Sequence, residues 1–154
     1  MKVHRILIPT DFSADADAAF SCALELSRTF GASVHLLHVV ENPLAAGAWS
    51  SEIYTAEIAG LQINLIRDAT ERLRGAVPPG ATNVVVDVRS GQPAREIVAA
   101  ARELGTDVIV MGTHGRTGLS HALMGSVAER VVRLAPCPVL TMRANESDKG
   151  VAAA

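Results

Sequence analysis

Aromatic residues are scarce: three Phe, one Tyr and one Trp, 3% of a 154-residue chain. The hydrophobic 49% must therefore build its core from Ala, Val, Leu and Ile rather than from rings. Cysteine is scarcer still. Cys22 and Cys137 make no disulfide framework, and their spacing fits no zinc pattern. An excess of one charge is also lacking. Fourteen Lys and Arg against sixteen Asp and Glu leave a net charge of -2, so no strong field draws nucleic acid or an anionic membrane. No stretch approaches the roughly 18 apolar residues of a membrane helix. The start, Met1 to Pro9, has too short an apolar run for a signal peptide and reaches Asp11 quickly. The expectation is a cytoplasmic protein. The hydrophobic content excludes disorder, and the length predicts one domain.

What is present is an alternation of short aliphatic runs with helical patterns. Residues 3–8, 33–40, 84–88, 107–111 and 139–142 read as strands. Most are nearly continuous in Val, Ile and Leu, which suits strands buried on both faces of a parallel sheet. The first helix starts at Ser13, a good N-cap, with Asp15 and Asp17 in its positive first turn. Ala19, Phe20, Ala23, Leu24, Ser27 and Phe30 follow helical spacing and Gly31 ends it. A long helix over residues 52–76 carries Ile58, Leu61, Leu65, Ala69 and Leu73 on one stripe. Pro93 opens a third helix that Gly105 closes, and a fourth runs from Ser126 to about Ala135, stopped by Pro136 and Pro138. The order β-α-β-α-β-α-β-α-β predicts an α/β fold with helices on both faces of a parallel sheet. Residues 41–51, with Trp49, read as a loop, and residues 144–154 as a flexible C-terminal tail.

In such a sheet ligands bind beyond the carboxyl ends of the strands. Two of those ends are unusual here: Pro9-Thr10-Asp11-Phe12-Ser13, and Met111-Gly112-Thr113-His114-Gly115-Arg116-Thr117-Gly118. In the second, glycines permit positive φ and remove Cβ, so backbone amides can approach a phosphate. Gly125-Ser126 then opens a helix whose free amides and positive end attract anions, and Arg116 adds a fixed charge. Physics alone leaves two readings of this segment. It is an anion cradle, or it is ordinary turn punctuation with Ser126 and Glu129 as a Ser-x-x-Glu capping box. Asp11 likewise is a ligand group or part of the cap of the first helix. His35 and His38 share a strand without a third metal ligand nearby in sequence, which favours packing. Cys137, between prolines, reads as exposed.

The spacing Gly112-x2-Gly115-x9-Gly125-Ser126 resembles the nucleotide-binding motif of the universal stress protein family. Ile6 to Ser13, Leu37-His38-Val39, Val110 to Arg116, Gly125 to Val131 and Pro136 to Leu140 resemble that family's blocks in order. The resemblance spans residues 3–142 and gives the domain as 1–143. It implies a Rossmann-like five-stranded parallel sheet in the order 3-2-1-4-5. With all three glycines and the serine in place, it implies the subgroup that binds ATP, with Mg2+. Carried over by position, Gly112, Gly115, Gly125, Ser126 and Val127 would hold phosphates. Asp11 would lie near the ribose or a phosphate-bound metal, and Val39 would meet adenine through its backbone beside Pro9 and Thr10. Met111, His114 and Arg116 complete the expected site. The resemblance also implies a homodimer paired through Val139–Met142. The function expected is that of a stress or signalling protein whose nucleotide state governs a protein partner. The alternative is a slow ATPase, or an enzyme phosphorylating itself on Ser126 or Thr117.

Overall fold

The computed structural model describes residues 2–41, 52–115 and 124–144. Its elements run β1 (Arg5–Pro9), α1 (Ala14–Phe30), β2 (Ser33–Val40), α2 (Glu52–Ala76), β3 (Val84–Ser90), α3 (Pro93–Glu103), β4 (Val108–Gly112), α4 (Ser126–Leu134) and β5 (Val139–Met142). The five strands form one parallel sheet in the order β3-β2-β1-β4-β5. The chain therefore winds outward from β1 to one edge, returns, and winds to the other edge from β4. Neighbouring β1 and β4 mark the switch point, where a crevice opens beyond their carboxyl ends.

Strand alternation explains the continuous apolar runs. Ile6, Ile8, Val34, Leu36 and Val110 face α1 and α2, against Ala19, Ala23 and Leu73. Leu7, Leu37, Ile109 and Met111 face the other way, against Ile97, Ala101, Ala128 and Val131 of α3 and α4. Each large aliphatic side chain so buried contributes roughly 1.5–3 kcal/mol of transfer free energy. Small alanines on the helices let them lie close to the sheet, which is how a core nearly without rings reaches tight packing.

The helix signals largely hold. Ser13 caps α1, its hydroxyl accepting from the Ala16 amide at 3.3 Å, and Gly31 closes it in the left-handed region at φ 67°. Pro93 occupies the first turn of α3. Several expectations differ. In α2, Ala69 and Leu73 are buried, but Leu61 and Leu65 are 52% and 40% exposed. Leu65 lines the cleft beyond the sheet's carboxyl ends, and Leu61 lies one turn before it, next to Gln62, whose amide donates to Ser90 at the end of β3. With 25 residues running about 37 Å, the helix is longer than the roughly 26 Å of an eight-residue strand. Phe30, at the last position of α1, is likewise half exposed. Ser126 and Glu129 form no capping box: the N-cap of α4 is Gly125, with no side-chain cap, and Ser126 is already inside the helix. His35 and His38 lie three apart on β2, so they point to opposite faces. Cys137 is half-buried against the α3–α4 core, and burial pushes its thiol up, away from thiolate. Among the described residues no helix is long and apolar enough to cross a membrane.

Candidate functional site

A cleft of about 790 Å³ opens beyond the carboxyl ends of β1, β2 and β4. Pro9, Thr10, Asp11, Val39, Met111, Gly112, His114, Gly115, Gly125, Ser126 and Val127 all line it. Every expected site residue is thus brought to one place except Arg116, which lies outside the described residues, as do Thr117, Gly118, Trp49 and residues 145–154. Leu37, Pro93 and Ile97 add an apolar wall.

The β1 side is a folded-back turn. The Thr10 amide donates to Leu37 O at 2.8 Å, continuing the parallel ladder past β1. Thr10 Oγ1 accepts from the Phe12 amide at 3.0 Å, and Asp11 Oδ1 accepts from the Ser13 amide at 3.1 Å. These bonds hold Phe12 at φ 63°, a left-handed conformation uncommon for a bulky residue. Its ring lies against His38, centroids 4.7 Å apart, and the Arg72 guanidinium sits 3.9 Å from its centroid. His38 Nδ1 is 2.7 Å from Thr10 O, and a carbonyl only accepts, so that nitrogen carries the proton. Beside this stack, burial and the Asp11 charge raise the Asp17 carboxyl above its ordinary value, while Arg72 opposes them.

The β4 side is held by its own hydrogen bonds. The Thr113 amide donates to Met142 O at 2.8 Å, and Thr113 O accepts from the Gly125 amide at 2.7 Å. The His114 amide donates to Asp15 Oδ2 at 3.1 Å, and His114 O accepts from the Ser13 hydroxyl at 3.3 Å. The Thr113 hydroxyl donates to the same carboxylate oxygen at 2.9 Å, and His114 Nδ1 lies 3.4 Å from it. Asp15 Oδ1 accepts from the Ala144 amide at 3.0 Å. Burial disfavours the Asp15 charge, but the Ala144 amide, the Thr113 hydroxyl and the His114 amide and ring outweigh it. Its carboxyl lies below the ordinary value.

The glycines serve proximity rather than φ. None of Gly112, Gly115 and Gly125 is at positive φ, so of the two properties that glycine offers, the missing Cβ is the one in use at these positions. A Cβ on Gly112 would lie 2.9 Å from the Asp15 carbonyl carbon and 3.0 Å from the Ala16 nitrogen, so this glycine lets α1 sit on β4. On Gly115 it would meet, among the described residues, only the Asp11 carboxylate, with Oδ2 at 2.7 Å. On Gly125 it would approach Thr113 O at 3.2 Å. Beyond Gly125, the first amides of α4 have no intrahelical acceptors and open on the cleft. Among the described residues no group of three His, Cys, Asp or Glu could hold a metal ion. A divalent ion here would take oxygens from its ligand, with the Asp11 carboxylate beside Gly115.

Sequence reasoning missed three contributors. Asp15 reads as a first-turn acid and is a buried hydrogen-bond hub. Phe12 gives no sign of its conformation, since neither neighbour predicts it. Arg72 lies on a helix 60 residues away, and no local pattern ties it to the cleft.

Comparison with known proteins agrees with this geometry. The model of the universal stress protein family matches residues 2–143. Universal stress protein MJ0531 of Methanocaldococcus jannaschii is 35% identical over 146 residues, covering 90% of this chain and 81% of that protein. The structure of a universal stress protein from Lactobacillus plantarum superposes with a TM-score of 0.80 at 26% identity, over 93% of this chain and 99% of that one. One from Archaeoglobus fulgidus, solved in complex with dAMP, shares the fold with a TM-score of 0.58 at 21% identity, over 92% and 99% of the two chains. Fold and sequence converge, and the chain belongs to the universal stress protein family.

Proposed function

We propose that this protein binds ATP, with Mg2+, in the cleft, and acts as a nucleotide-dependent stress or signalling protein. One observation carries the reading: Gly115, the adjacent Asp11 carboxylate and the uncapped start of α4 line a single cleft of about 790 Å³. Amides without acceptors at a helix N-terminus suit phosphate oxygens. Asp11 suits a ribose hydroxyl or a phosphate-bound Mg2+, and the wall of Pro9, Leu37, Val39 and Ile97 suits a flat base. The dAMP complex of the Archaeoglobus protein supports this at the level of the fold only.

The reading includes a cytoplasmic location and a homodimer. β5 is an edge strand, and Leu140 on it is 39% exposed. A second copy pairing along that edge would cover it.

The test is calorimetric titration of nucleotide-stripped protein with ATP and Mg2+. Saturation near one per chain, with AMP weaker, is expected. In Gly115→Val the side chain must displace the Asp11 carboxylate into the cleft. Affinity should fall at least about tenfold, the effect of removing one or two hydrogen bonds to a charged phosphate. Undiminished binding by that variant sinks the cradle assignment. A turnover assay on the same sample separates holding ATP from hydrolysing it.

A further inference from the structure

We propose that Asp15 is a positioning residue that couples the loop after β4 to the chain beyond β5, so that a ligand in the cleft and the anchoring of Ala144 govern each other. The proposal deepens the ATP-binding reading and rests on it. One carboxylate serves two segments 30 residues apart. Its Oδ2 accepts from the Thr113 hydroxyl and the His114 amide, and its Oδ1 accepts from the Ala144 amide at 3.0 Å. The side chain is 10% exposed, so little water replaces a lost partner. Slack is absent as well. Gly112 lies so close to Asp15 that a Cβ would sit 2.9 Å from its backbone, and the Ser13 hydroxyl holds His114 O from the same turn of α1. The Thr113 amide, bonded to Met142 O, already joins the loop to the end of β5 two residues before Ala144.

Consider what a phosphate at Gly115 does. The four backbone groups of Thr113 and His114 are all occupied by partners inside the protein: Met142 O, the Gly125 amide, Asp15 and Ser13. Any movement that Gly115 makes to meet a ligand is therefore taken up at His114 and passed to Asp15 Oδ2. The carboxylate is rigid and planar, so tightening or tilting at one oxygen changes the geometry of the other at Ala144. Ligand binding then strengthens the hold on Ala144, and loss of that hold weakens ligand binding by the same factor, because coupling between two binding events is reciprocal. Whatever pulls on or covers the chain after Ala144 would in this way adjust nucleotide affinity without entering the cleft.

The experiment uses the full chain, stripped of nucleotide, as wild type, Asp15→Asn, Ala144→Pro and the double variant. Melting curves first establish that each is folded. Titration with ATP and Mg2+ is expected to show affinity about threefold lower in Ala144→Pro, which removes the amide donor and fixes φ at that position, and about tenfold lower in Asp15→Asn. The double variant should be no weaker than Asp15→Asn alone, since both changes break one pathway. Amide hydrogen exchange supplies the readout that a merely structural role would not move. ATP should slow exchange at Ala144 in wild type and leave it unchanged in Asp15→Asn. Wild-type affinity in Ala144→Pro, or losses that add in the double variant, overturns the coupling. Absence of ATP binding by wild type sinks the ligand reading and the nucleotide end of the coupling with it. The latch is then judged separately in the ligand-free protein: Asp15→Asn must speed exchange at His114 and Ala144 together, and unchanged exchange at either overturns it.

Discussion

Two helices begin at the same end of the sheet and border the same cleft, yet their first turns are built in opposite ways. α1 starts on Ser13, whose hydroxyl caps it, and carries Asp15 and Asp17 in its positive turn. Asp15 is buried there and directs its charge to the protein's own amides. α4 starts on Gly125, which has no side chain to offer, and its one early acid, Glu129, points to Arg133 at 3.7 Å on the exposed side. A helix N-terminus carries about half a positive charge whichever residues form it. In α1 that charge is answered internally, and the helix becomes scaffold. In α4 no described side chain answers it, which is the feature that the proposed nucleotide site relies on. The difference between scaffold and site lies in whether the helix brings its own anion.

The largest effect should come from collapsing the scaffold side. Gly112→Val places a branched side chain where the Asp15 carbonyl carbon lies 2.9 Å from an ideal Cβ. Backbone cannot yield as a side-chain tip can, so α1 must lift from β4, at a cost of about 3 kcal/mol. The urea midpoint should fall accordingly. In Gly115→Val, three residues on, the only close neighbour among the described residues is a carboxylate tip, and the midpoint should hold while ATP binding is lost. Equal loss of stability in both would erase the distinction between the two glycines.

A smaller and more pointed change makes α4 resemble α1. Gly125→Asp supplies the missing cap and its negative charge at once. Stability should change by only a few tenths of a kcal/mol, because glycine is already a tolerated N-cap. The Cβ approaches Thr113 O at 3.2 Å, which offsets part of any gain. Affinity for ATP should fall at least about tenfold, since a carboxylate within several ångströms repels phosphate strongly away from bulk water. Gly125→Asn, a neutral cap, should lose less. Equal losses in the two would mean that shape, not charge, closes the site.

The fold was legible because its strands are written in one kind of residue. Ile6, Leu7 and Ile8 are apolar in a row, and the sheet buries them on alternate faces. The site was legible wherever proximity of backbone mattered, since glycine is the one residue that advertises it. Which of the two properties each glycine supplies was not, because removal of Cβ and freedom of φ look identical in sequence. What stayed hidden depends on distant partners. Asp15 reads the same whether it faces water or gathers Thr113, His114 and Ala144 around it. Leu61 and Leu65 continue the stripe, and only the fold shows that this end of it borders the cleft and stays exposed. Ser126 and Glu129 have the spacing of a capping box, but the helix begins one residue earlier than that box requires.

The smallest expected effect sets two acids of the same turn against each other. Asp15 has a lowered carboxyl, so at mildly acidic pH the unfolded chain binds a proton that the native one does not. Stability then rises with pH through the window between the native value and the ordinary one near about 4; the contribution is complete above that window and lost as pH falls through the native value. Asp17 is raised, through burial and the Asp11 charge, so its sign is reversed: between the ordinary value and its own, the native chain holds the extra proton, and stability falls as pH rises. The two partly cancel in the wild-type acid slope. Asp15→Asn should flatten the rise of the urea midpoint between about pH 3 and pH 5, and Asp17→Asn should steepen it. Parallel slopes in the two variants would show that neither carboxyl is tuned by the fold. The contrast between an acid enclosed by amides and an acid beside another acid, two residues apart on α1, would then have no energetic content.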